Sequence, residues 1–415
     1  MIKVDEVFPV DIRASIGPAG TIKRLFQNRD YFRSRGYEMT IFCNHFTHSM
    51  GLMNYFELRE MTELPQQRTY AIAAGGGTKK RWQSRIKQWA HDTKLLGYVF
   101  LRFKEQTGMA KMTQAYIDMK RRPDIVVFHG YGECDYYLKH RDADDKAKVV
   151  CFLHSDGRDI TMTYNNYPKL VGTKLMKRLY DNYMHAITNS DRIVYISKLA
   201  VDAFMELHPD YDTSKIYTAV NGIDDKPLMQ TEPSCRFKYR LCTSGTVNRR
   251  KGQYIIVEAL KKMDKGILAQ THLTVMGVGP DYNRLLADVQ ASGLQENVTF
   301  LGNVPNPEMH AKLSAENIYC LMSNNEGLPI AILEAMRAGL PVISTRVAGI
   351  PEQVDERNGI LIEPDVKQLT EVLNHLPDYD WEKLGKASRI RFEKEFRFSR
   401  MLDDYANVFD SLRQY

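Results

Sequence analysis

The chain has 415 residues, and its composition excludes a disordered protein because 43% of the residues are hydrophobic and 26% are charged. The length predicts two or three domains, since a single hydrophobic core rarely serves more than about 300 residues. We expect no membrane-spanning helix and no secretory signal, because no run of 18 apolar residues occurs and the first residues lack a long apolar segment. The 6 cysteines include no C-x-x-C pair, which argues against a disulfide framework and favours a cytoplasmic location.

The charge is divided unevenly between the two halves of the chain. Residues 1–230 hold 34 basic and 27 acidic side chains, whereas residues 231–415 hold 23 and 24. The formal net charge of +6 therefore comes from the first half. Nucleic acid is not an expected partner, because no nucleic-acid-binding signature accompanies the basic residues.

Much of the basic excess lies between residues 79 and 104, where apolar residues fall at helical spacing: Trp82, Ile86, Trp89, Leu96 and Phe100. The pattern predicts a basic amphipathic helix. Such a helix either contacts an anionic membrane or a lipid-linked substrate, or packs its apolar stripe on the core with its charges in solvent. The candidate acceptor or membrane surface consists of Lys80, Arg81, Trp82, Arg85 and Trp89.

Apolar segments rich in β-branched residues alternate with helix-length segments such as Thr21–Ser34 and Met176–Ile187. The strands predicted in the first half are Ile2–Phe8, Tyr37–Cys43, Ile125–Phe128, Val149–Leu153, Ile193–Ile196 and Ile216–Val220. Those predicted in the second half are Tyr239–Cys242, Leu273–Met276, Val298–Phe300, Ile318–Met322, Val342–Ser344 and Ile360–Ile362. Apolar strands separated by helices indicate parallel sheets buried on both faces, so we predict two doubly wound α/β domains.

A stretch rich in Gly, Pro and Asp, Asn221–Arg236, interrupts the alternation and is interpreted as an interdomain linker. The predicted boundaries are 1–225 for the first domain, 226–238 for the linker and 239–399 for the second domain. Sheets of this kind bind ligands beyond the carboxyl ends of their strands, so we expect the functional residues at the strand-to-helix turns.

The most informative segment is 324–341, which follows a predicted strand. Pro329 suits the first turn of a helix, Gly339 suits its end, and Pro341 prevents its continuation. The backbone N–H groups near Gly327–Ile330 are therefore expected at a helix N-terminus, which favours an anion such as a diphosphate.

Two carboxylates belong to the same segment: Glu326 precedes the helix and Glu334 lies inside it, with seven residues between them. A carboxylate repels phosphate but accepts hydrogen bonds from sugar hydroxyls. One carboxylate on each side of a diphosphate favours a ligand with a sugar at each end, which is a nucleotide-sugar. Taken singly, each glutamate is also compatible with an exposed helix cap or a solvated helix residue.

With these residues the chain resembles the large family of retaining glycosyltransferases called family 4, whose two Rossmann-like domains face each other across a cleft in the GT-B architecture. Glu326 and Glu334 match the family's E-x7-E motif. The resemblance implies that Glu326 contacts hydroxyls of the donor sugar and that Glu334 contacts the ribose. It also implies that the phosphate and sugar lie against the backbone of Gly327, Leu328, Pro329 and Ile330, although Pro329 has no N–H to donate.

The segment 244–252 resembles the first strand-to-helix turn of the family's donor domain, where an arginine and a lysine hold the diphosphate. Gly245 matches the first glycine and Lys251 matches the lysine, whereas Thr246 occupies the arginine position. Arg249 or Arg250 could supply the second cation that a metal-free diphosphate needs, and the sequence leaves both open. A further loop, ending at Val304, resembles the one that meets the nucleotide base.

The N-terminal domain is implied to bind the acceptor, and the second domain to bind the nucleotide-sugar. Gly20 belongs to a glycine-rich stretch that in the family closes over the donor phosphates. His154 ends a predicted strand, and the resemblance implies that it contacts the donor sugar near the reacting carbon; His129 ends the neighbouring strand and is a weaker candidate. The C-terminal helix, about 400–415, resembles one that returns to complete the first domain.

Two motifs with metal-ligand spacing are not interpreted as sites. Asp142 and Asp144 have the D-x-D spacing of metal-dependent glycosyltransferases of another fold, but basic residues surround them, so we predict a solvated loop. His45 and His48 lack an apparent third ligand. We therefore expect no metal and no other cofactor.

The predicted reaction moves a sugar from a nucleoside diphosphate, UDP in preference to GDP, to a hydroxyl of a glycan or lipid-linked glycan in surface polysaccharide biosynthesis, with retained anomeric configuration. The candidate catalytic residues are His154, Glu326 and Lys251, of which Lys251 would stabilise charge on the leaving diphosphate. The protein is expected in the cytoplasm, or at the inner face of the membrane.

Three alternatives stay open from the sequence. A sugar-nucleotide epimerase or a phosphorylase would use the same fold, although the E-x7-E motif favours a transferase. A nicotinamide dehydrogenase also has two α/β domains, but no G-x-G-x-x-G follows the first strand. A non-catalytic glycan-binding scaffold is the third, because a fold alone does not establish an activity.

Overall fold

The structure is a computed structural model, and the residues it describes are 1–8, 19–50, 53–63 and 93–413. Its internal contacts divide the chain into two compact units. The first unit comprises residues 1–196 and 201–219 together with the chain from 402 onward, and the second comprises residues 197–200 and 220–401. Within the described ranges, no helix is both long enough and apolar enough to cross a bilayer.

The division differs from the predicted boundaries just before the linker. Residues 220–225, predicted to end the first domain, group with the second unit, as do residues 226–238. Backbone pairing gives the reason: the N–H of Ile223 donates to the carbonyl of Phe396 at 3.1 Å, and the N–H of Phe398 donates to the carbonyl of Ile223 at 2.9 Å. These bonds tie the residues just before the predicted linker to the end of the second unit.

The first unit contains a seven-stranded sheet of order β3-β2-β1-β4-β5-β6-β7. Its strands are β1 (Ile2–Phe8), β2 (Tyr37–Met50), β3 (Met53–Glu60), β4 (Ile125–Phe128), β5 (Lys148–Leu153), β6 (Arg192–Tyr195) and β7 (Ile216–Thr218). All neighbours are parallel except β2 and β3. The sequence analysis missed β3, because an edge strand that carries four polar or charged residues lacks the continuous apolar run of a central strand.

The helices up to residue 207 are Ala19–Gln27, Arg29–Ser34, Lys94–Val99, Gln106–Asp118, Tyr131–His140, Asp159–Asn166, Lys174–Asn189 and Lys198–Leu207, and a π-helical segment covers Phe100–Glu105. The prediction of one helix over Thr21–Ser34 was wrong in one respect, since two helices cover this segment. They are separated at Asn28, which has φ −113° and ψ 27° and whose side-chain N–H donates to the carbonyl of Arg24 at 2.8 Å.

The predicted amphipathic helix lies largely outside the described residues, which begin again at Thr93. This applies to the whole candidate acceptor or membrane surface: Lys80, Arg81, Trp82, Arg85 and Trp89. At the C-terminal end of the predicted stripe, Phe100 is buried, whereas Leu96 is 40% exposed. The described part of the stripe therefore does not form one uniformly buried face.

The helix Phe398–Asp410 packs on the first unit through aromatic side chains. The ring of Phe409 lies 5.4 Å from that of Tyr37, and the ring of Tyr405 stacks on Phe152 at 4.9 Å. The hydroxyl of Tyr37 also donates to Asp410 at 2.5 Å. This helix therefore packs against the first sheet next to β2 and β5.

The second unit contains a six-stranded parallel sheet of order β10-β9-β8-β11-β12-β13. Its strands are β8 (Tyr239–Ser244), β9 (Thr271–Met276), β10 (Val298–Gly302), β11 (Ile318–Leu321), β12 (Val342–Thr345) and β13 (Gly359–Ile362). Its helices are Gln253–Lys262, Lys265–Leu268, Tyr282–Ala291, Asn306–Ser314, Ile330–Arg337, Ile350–Gln353, Val366–Asn374 and Trp381–Glu395. The central strands β9, β11 and β12 are buried along their length, as expected for a sheet covered on both faces. The two doubly wound α/β units confirm the predicted fold class.

Candidate functional site

The strand order places a switch point between β8 and β11 in the second sheet. From β8 the chain continues through β9 and β10 to one side, whereas β11 is followed by β12 and β13 on the other side. The loops that leave the carboxyl ends of β8 and β11 therefore border a crevice, which is where doubly wound sheets bind ligands. The motif at 244–252 forms the loop after β8. The motif at 324–341 begins in the loop after β11 and continues into the following helix.

The loop after β8 is held by a side-chain cap and a left-handed glycine. The Oδ1 atom of Asn248 accepts from the backbone N–H of Lys251 at 2.9 Å and caps the 3₁₀ turn Arg249–Lys251. Gly252 follows with φ +70°, and a Cβ atom built there would lie 1.8 Å from the carbonyl oxygen of Met322. Only glycine allows this approach, so Gly252 brings the loop after β8 against the chain that leaves β11.

The loop after β11 is held by hydrogen bonds that orient Glu326. The hydroxyl of Ser323 donates to Oε1 of Glu326 at 2.7 Å, and the hydroxyl of Thr345 donates to the carbonyl of Ser323 at 2.6 Å. The N–H of Gly349 donates to the carbonyl of Gly327 at 2.9 Å. The carboxylate is thus fixed within its own loop, and that loop is anchored to the connection that follows β12.

The helix that follows confirms most of the capping prediction. It runs from Ile330 to Arg337, and Gly339 ends it with φ +77°. Pro329 lies at the N-cap, one residue before the predicted first turn. Leu328 is buried and Gly327 is half-buried, so the four predicted backbone positions surround the start of the helix.

A buried ion pair joins the two loops. Oε1 of Glu326 lies 2.6 Å from Nζ of Lys251 and 3.1 Å from a guanidinium nitrogen of Arg250. The side chains of Glu326 and Lys251 are only 7% and 13% exposed. Burial lowers the pKa of Lys251, while the charge and hydrogen bond of Glu326 act in the opposite direction. Two cations and one carboxylate give this cluster a net positive charge, which suits an anionic ligand.

The structure shows different contacts for Arg249 and Arg250, the two arginines that the sequence offers as the second cation. Arg250 contacts Glu326 and also donates to the carbonyl of Asn325 at 2.9 Å. The guanidinium of Arg249 instead lies 5.5 Å over the ring of Tyr254 and lines a separate cavity of about 330 Å³. Arg250 is therefore the arginine that the structure brings together with Lys251.

The remaining second-unit candidates lie at the same edge of the sheet. Glu334 is half-buried, and its charge adds to burial in raising the pKa of Tyr319, whose hydroxyl is 3.0 Å from that of Ser244. Gly245 has φ +115°, and its N–H donates to the carbonyl of Met276 at the end of β9. Val304 is half-buried in the loop after β10.

Gly20 does not belong to a loop, which corrects the prediction. Ala19 and Gly20 form the first turn of the helix Ala19–Gln27, because the helix begins two residues earlier than the predicted Thr21. Gly20 is half-buried there. The rest of the glycine-rich stretch, Gly17 and Pro18, lies outside the described residues.

A second cluster lies at the switch point of the first sheet, between β1 and β4. His154 follows β5, and its Nε2 is 2.9 Å from Nδ1 of His129, which follows β4. Nε2 of His129 is in turn 2.7 Å from Oε2 of Glu6 in β1. The two imidazole rings stack at 5.2 Å, and Phe152 stacks on His154 at 4.8 Å. The structure thus brings His154 together with the weaker candidate His129 and with a glutamate that the sequence analysis missed.

The electrostatics of this cluster are set by burial. The side chains of Glu6 and His129 are both fully buried. Burial, with a smaller effect from Asp5, raises the pKa of Glu6 to about 8, and burial lowers the pKa of His129 to about 3. Burial and then His129 lower the pKa of His154. All three groups are therefore neutral near pH 7, since an isolated buried charge is costly.

A signal for Glu6 was present in the sequence. Two adjacent carboxylates, Asp5 and Glu6, lie within Val4–Phe8, the buried part of β1. Asp5 points to the opposite face, where Arg121 pairs with it at 2.9 Å and the hydroxyl of Tyr116 donates to it at 2.7 Å. No lysine or arginine among the described residues pairs with Glu6. A carboxylate buried in a strand without a cation indicates a special role more strongly than a paired one.

Within the described ranges, no three His, Cys, Asp or Glu side chains lie close enough together to hold a metal ion. Asp142 and Asp144 form ion pairs with Arg122 at 2.7 and 3.2 Å, so their partner is a cation of the chain itself. The side chains of His45 and His48 lie outside the described part of the structure. That the protein needs no metal stays a prediction.

The chain is similar to known proteins over part of its length. Residues 235–388 match the family model described as "Glycosyl transferases group 1". The chain is 28% identical over 206 residues to one of the subunits of phosphatidylinositol N-acetylglucosaminyltransferase from Arabidopsis thaliana, covering 45% of each protein. It is 24% identical over 279 residues to the O-antigen biosynthesis glycosyltransferase WclY of Escherichia coli, covering 64% of this chain and 73% of that protein. The chain thus spans less than half of the plant relative's length.

The fold is that of the GT-B glycosyltransferases. The crystal structure of Anabaena Alr3699/HepE in complex with UDP-glucose is similar with a TM-score of 0.62 and 15% sequence identity, and the similarity covers all of both chains. At this identity the similarity establishes the fold alone. The matched segment 235–388 contains both loops of the Lys251–Glu326 ion pair.

Glu6→Gln should remove a pH-dependent loss of stability. Because the folded-state pKa of Glu6 is raised, its contribution to stability is fully present below about pH 4.5 and is lost as the pH rises to about 8. The free energy of unfolding of the wild type should therefore fall, relative to the variant, by about 1.4 kcal/mol per pH unit between pH 5 and 8. Urea unfolding of both proteins at a series of pH values measures the difference, and a pH-independent difference would contradict it.

Proposed function

We propose that the protein is a retaining, metal-independent glycosyltransferase of family 4, which transfers a sugar from a nucleoside diphosphate to a hydroxyl of a glycan or lipid-linked glycan. The observation that carries this proposal is the buried ion pair of Lys251 with Glu326 at the switch point of the second sheet, 2.6 Å long and flanked by Arg250. The match of residues 235–388 to a glycosyltransferase family supports it.

The cations are suited to a diphosphate. Lys251 offers a compact charge and Arg250 a planar fork of donors, and both types of group bind phosphate oxygens. The start of the helix Ile330–Arg337 adds the positive end of a helix dipole next to the same loop. In the transition state, negative charge grows on the leaving diphosphate, so fixed positive groups lower the barrier by stabilising it.

The carboxylates are suited to sugars. Glu326 accepts hydrogen bonds and cannot donate them when ionised, so hydroxyls of the donor sugar are natural partners for it. Glu334, which lies inside the following helix, is proposed to accept from the ribose. His154 is proposed to contact the transferred sugar near its reacting carbon, and Val304 to lie near the base.

We favour a UDP-sugar over a GDP-sugar as the donor, because the structurally similar Anabaena protein was crystallised with UDP-glucose. The acceptor is proposed to be a surface polysaccharide intermediate. The names of the two relatives, one acting in O-antigen biosynthesis and one on phosphatidylinositol, support a glycan or lipid-linked acceptor.

Lys251→Met should weaken binding of UDP and UDP-sugars at least tenfold, because the variant loses a buried cation of the phosphate site. A ligand at 100 times its Kd stabilises the folded protein by about 2.7 kcal/mol, so a tenfold loss of affinity removes about half of this effect. Thermal unfolding against UDP, GDP, ADP, their sugar conjugates and NAD(H), without metal, measures the shift.

Lys261→Met is the matched control, since Lys261 belongs to the same unit but pairs with Glu258 and Asp288. The control should keep the full shift with nucleotide. A shift with NAD(H) alone would contradict the proposed function and favour a dehydrogenase.

The product should keep the anomeric configuration of the donor, and the reaction should continue in EDTA. Proton NMR of the anomeric signal during turnover of the donor identified by thermal unfolding, with a simple glycoside as acceptor, reads the configuration. Inversion would exclude family 4. Loss of turnover in EDTA, restored by a divalent ion, would exclude the metal-independent mechanism.

The protein should bind anionic vesicles through its basic segment. In flotation with phosphatidylglycerol-containing vesicles, the wild type should be found in the vesicle fraction. A variant with Lys80→Gln, Arg81→Gln and Arg85→Gln should remain in the vesicle-free fraction. The control variant loses the same number of positive charges at three exposed lysines of the second unit. Its substitutions are Lys312→Gln, Lys367→Gln and Lys383→Gln. Equal loss in both variants would argue against a dedicated membrane surface.

A further inference from the structure

Three titratable side chains form a continuous hydrogen-bonded chain across the switch point of the first sheet, and the proposed function uses only its outer member. Glu6 contacts His129 at 2.7 Å, and His129 contacts His154 at 2.9 Å. A neutral imidazole carries one N–H and one lone pair, so the two hydrogen bonds cannot be oriented independently. Once the direction of the first bond is fixed, the second follows.

Two orientations are possible. If Glu6 is neutral, its O–H donates to Nε2 of His129, the Nδ1–H of His129 donates to Nε2 of His154, and His154 carries its own proton on Nδ1. If Glu6 is ionised, it accepts from Nε2–H of His129, whose Nδ1 then accepts from Nε2–H of His154. In this second state Nδ1 of His154 carries a lone pair.

The surroundings of Glu6 favour the neutral state at pH 7. Its Oε1 atom is buried and has no hydrogen-bond partner among the residues that the structure describes, so an ionised carboxylate would be incompletely solvated by them. Asp5, next to it in the strand, opposes a second negative charge. From the helix Phe398–Asp410, Tyr405 packs nearby, and within the described ranges its buried hydroxyl has no hydrogen-bond partner. The carboxyl thus faces a histidine and a phenol, neither of which is a permanent cation, while Asp5 acts on it from the opposite face of the strand.

We propose that Glu6 and His129 are positioning residues for His154, and that the protonation state of Glu6 decides whether His154 presents an N–H donor or a lone pair at Nδ1. His154 is half-buried, whereas Glu6 and His129 are fully buried, so His154 is the member of the chain that a ligand can reach. That this ligand is the sugar substrate rests on the proposed function; the hydrogen-bond chain itself does not.

The protons balance in the change between the two states. The neutral state holds three protons, on Glu6, on Nδ1 of His129 and on Nδ1 of His154. When the Nδ1 proton of His154 leaves to solvent, the proton of Glu6 moves to Nε2 of His129, and the Nδ1 proton of His129 moves to Nε2 of His154. One proton is lost, and the negative charge appears on Glu6.

The donor state widens the set of atoms that His154 can bind. A lone pair at Nδ1 can only accept, and therefore needs a hydroxyl that donates. An N–H also binds oxygen atoms that only accept, such as the ring oxygen of a sugar or a phosphate oxygen. In the neutral state, His154 is therefore suited to an uncharged acceptor such as the ring oxygen of a donor sugar.

Nitrogen-15 NMR of the histidine rings reads the tautomers directly in the full-length protein without any ligand. The signals of His129 and His154 are assigned by their loss in His129→Gln and His154→Gln. In the wild type at pH 6.5, both rings should show the Nδ1–H tautomer. At pH 9.5 both should show the Nε2–H tautomer, with the change centred near pH 8.

Glu6→Gln should keep both rings in the Nδ1–H tautomer at pH 6.5 and at pH 9.5, since a carboxamide donates to His129 as the neutral carboxyl does. Asp5→Asn is the control in the same strand. It should keep the transition but move it to lower pH, because the charge of Asp5 no longer opposes ionisation of Glu6. Nε2–H tautomers in the wild type at pH 6.5, absence of the wild-type transition, or its persistence in Glu6→Gln would each overturn the proposal.

The failure of this proposal is distinguishable from a failure of the proposed function. The tautomers are measured without nucleotide or acceptor, so they stay readable if no nucleotide-sugar binds. Expected tautomers together with no nucleotide-dependent thermal shift would contradict the glycosyltransferase alone. If Glu6→Gln does not fold, the pH series on the wild type still tests whether both histidines change tautomer near pH 8.

Discussion

The buried ion pair between Lys251 and Glu326 is the interaction on which the second unit's ligand edge depends. Each charge belongs to a different strand-to-helix loop, and each would be costly to bury alone. The loops must therefore stay in contact for either charge to remain compensated. Gly252 permits that contact, since any larger residue would collide with the carbonyl of Met322.

The two sheets differ in the charge of the side-chain cluster at their switch points. Both carry polar side chains at the switch point of their strand order, where the loops diverge. In the second sheet the group is charged, because Lys251 and Arg250 accompany Glu326. In the first sheet the group is neutral, because among the described residues Glu6 pairs with His129 and with no cation. One edge is therefore suited to phosphate, and the other to uncharged polar atoms.

The sequence predicted the strands and the helix caps well, since both follow from local patterns. Apolar runs revealed twelve strands, and Pro329 and Gly339 marked the ends of one helix. It could not choose between Arg249 and Arg250, because adjacent residues on a 3₁₀ turn point in different directions and only the tertiary structure shows which meets Glu326. It also missed Glu6, whose partner His129 is distant in the chain and comes close only through the pairing of β1 with β4.

The ion pair also has a consequence for selectivity. Glu326 pairs with both cations, so an anionic ligand that binds them takes the place of an anion that the chain itself supplies. A simple phosphate that takes the cations leaves the carboxylate buried and uncompensated, and gives it nothing in return. A molecule with anionic oxygens at one point and hydroxyls beside them satisfies both sides of the exchange. Under the proposed function, the protein's own carboxylate would therefore favour a nucleotide-sugar over inorganic phosphate.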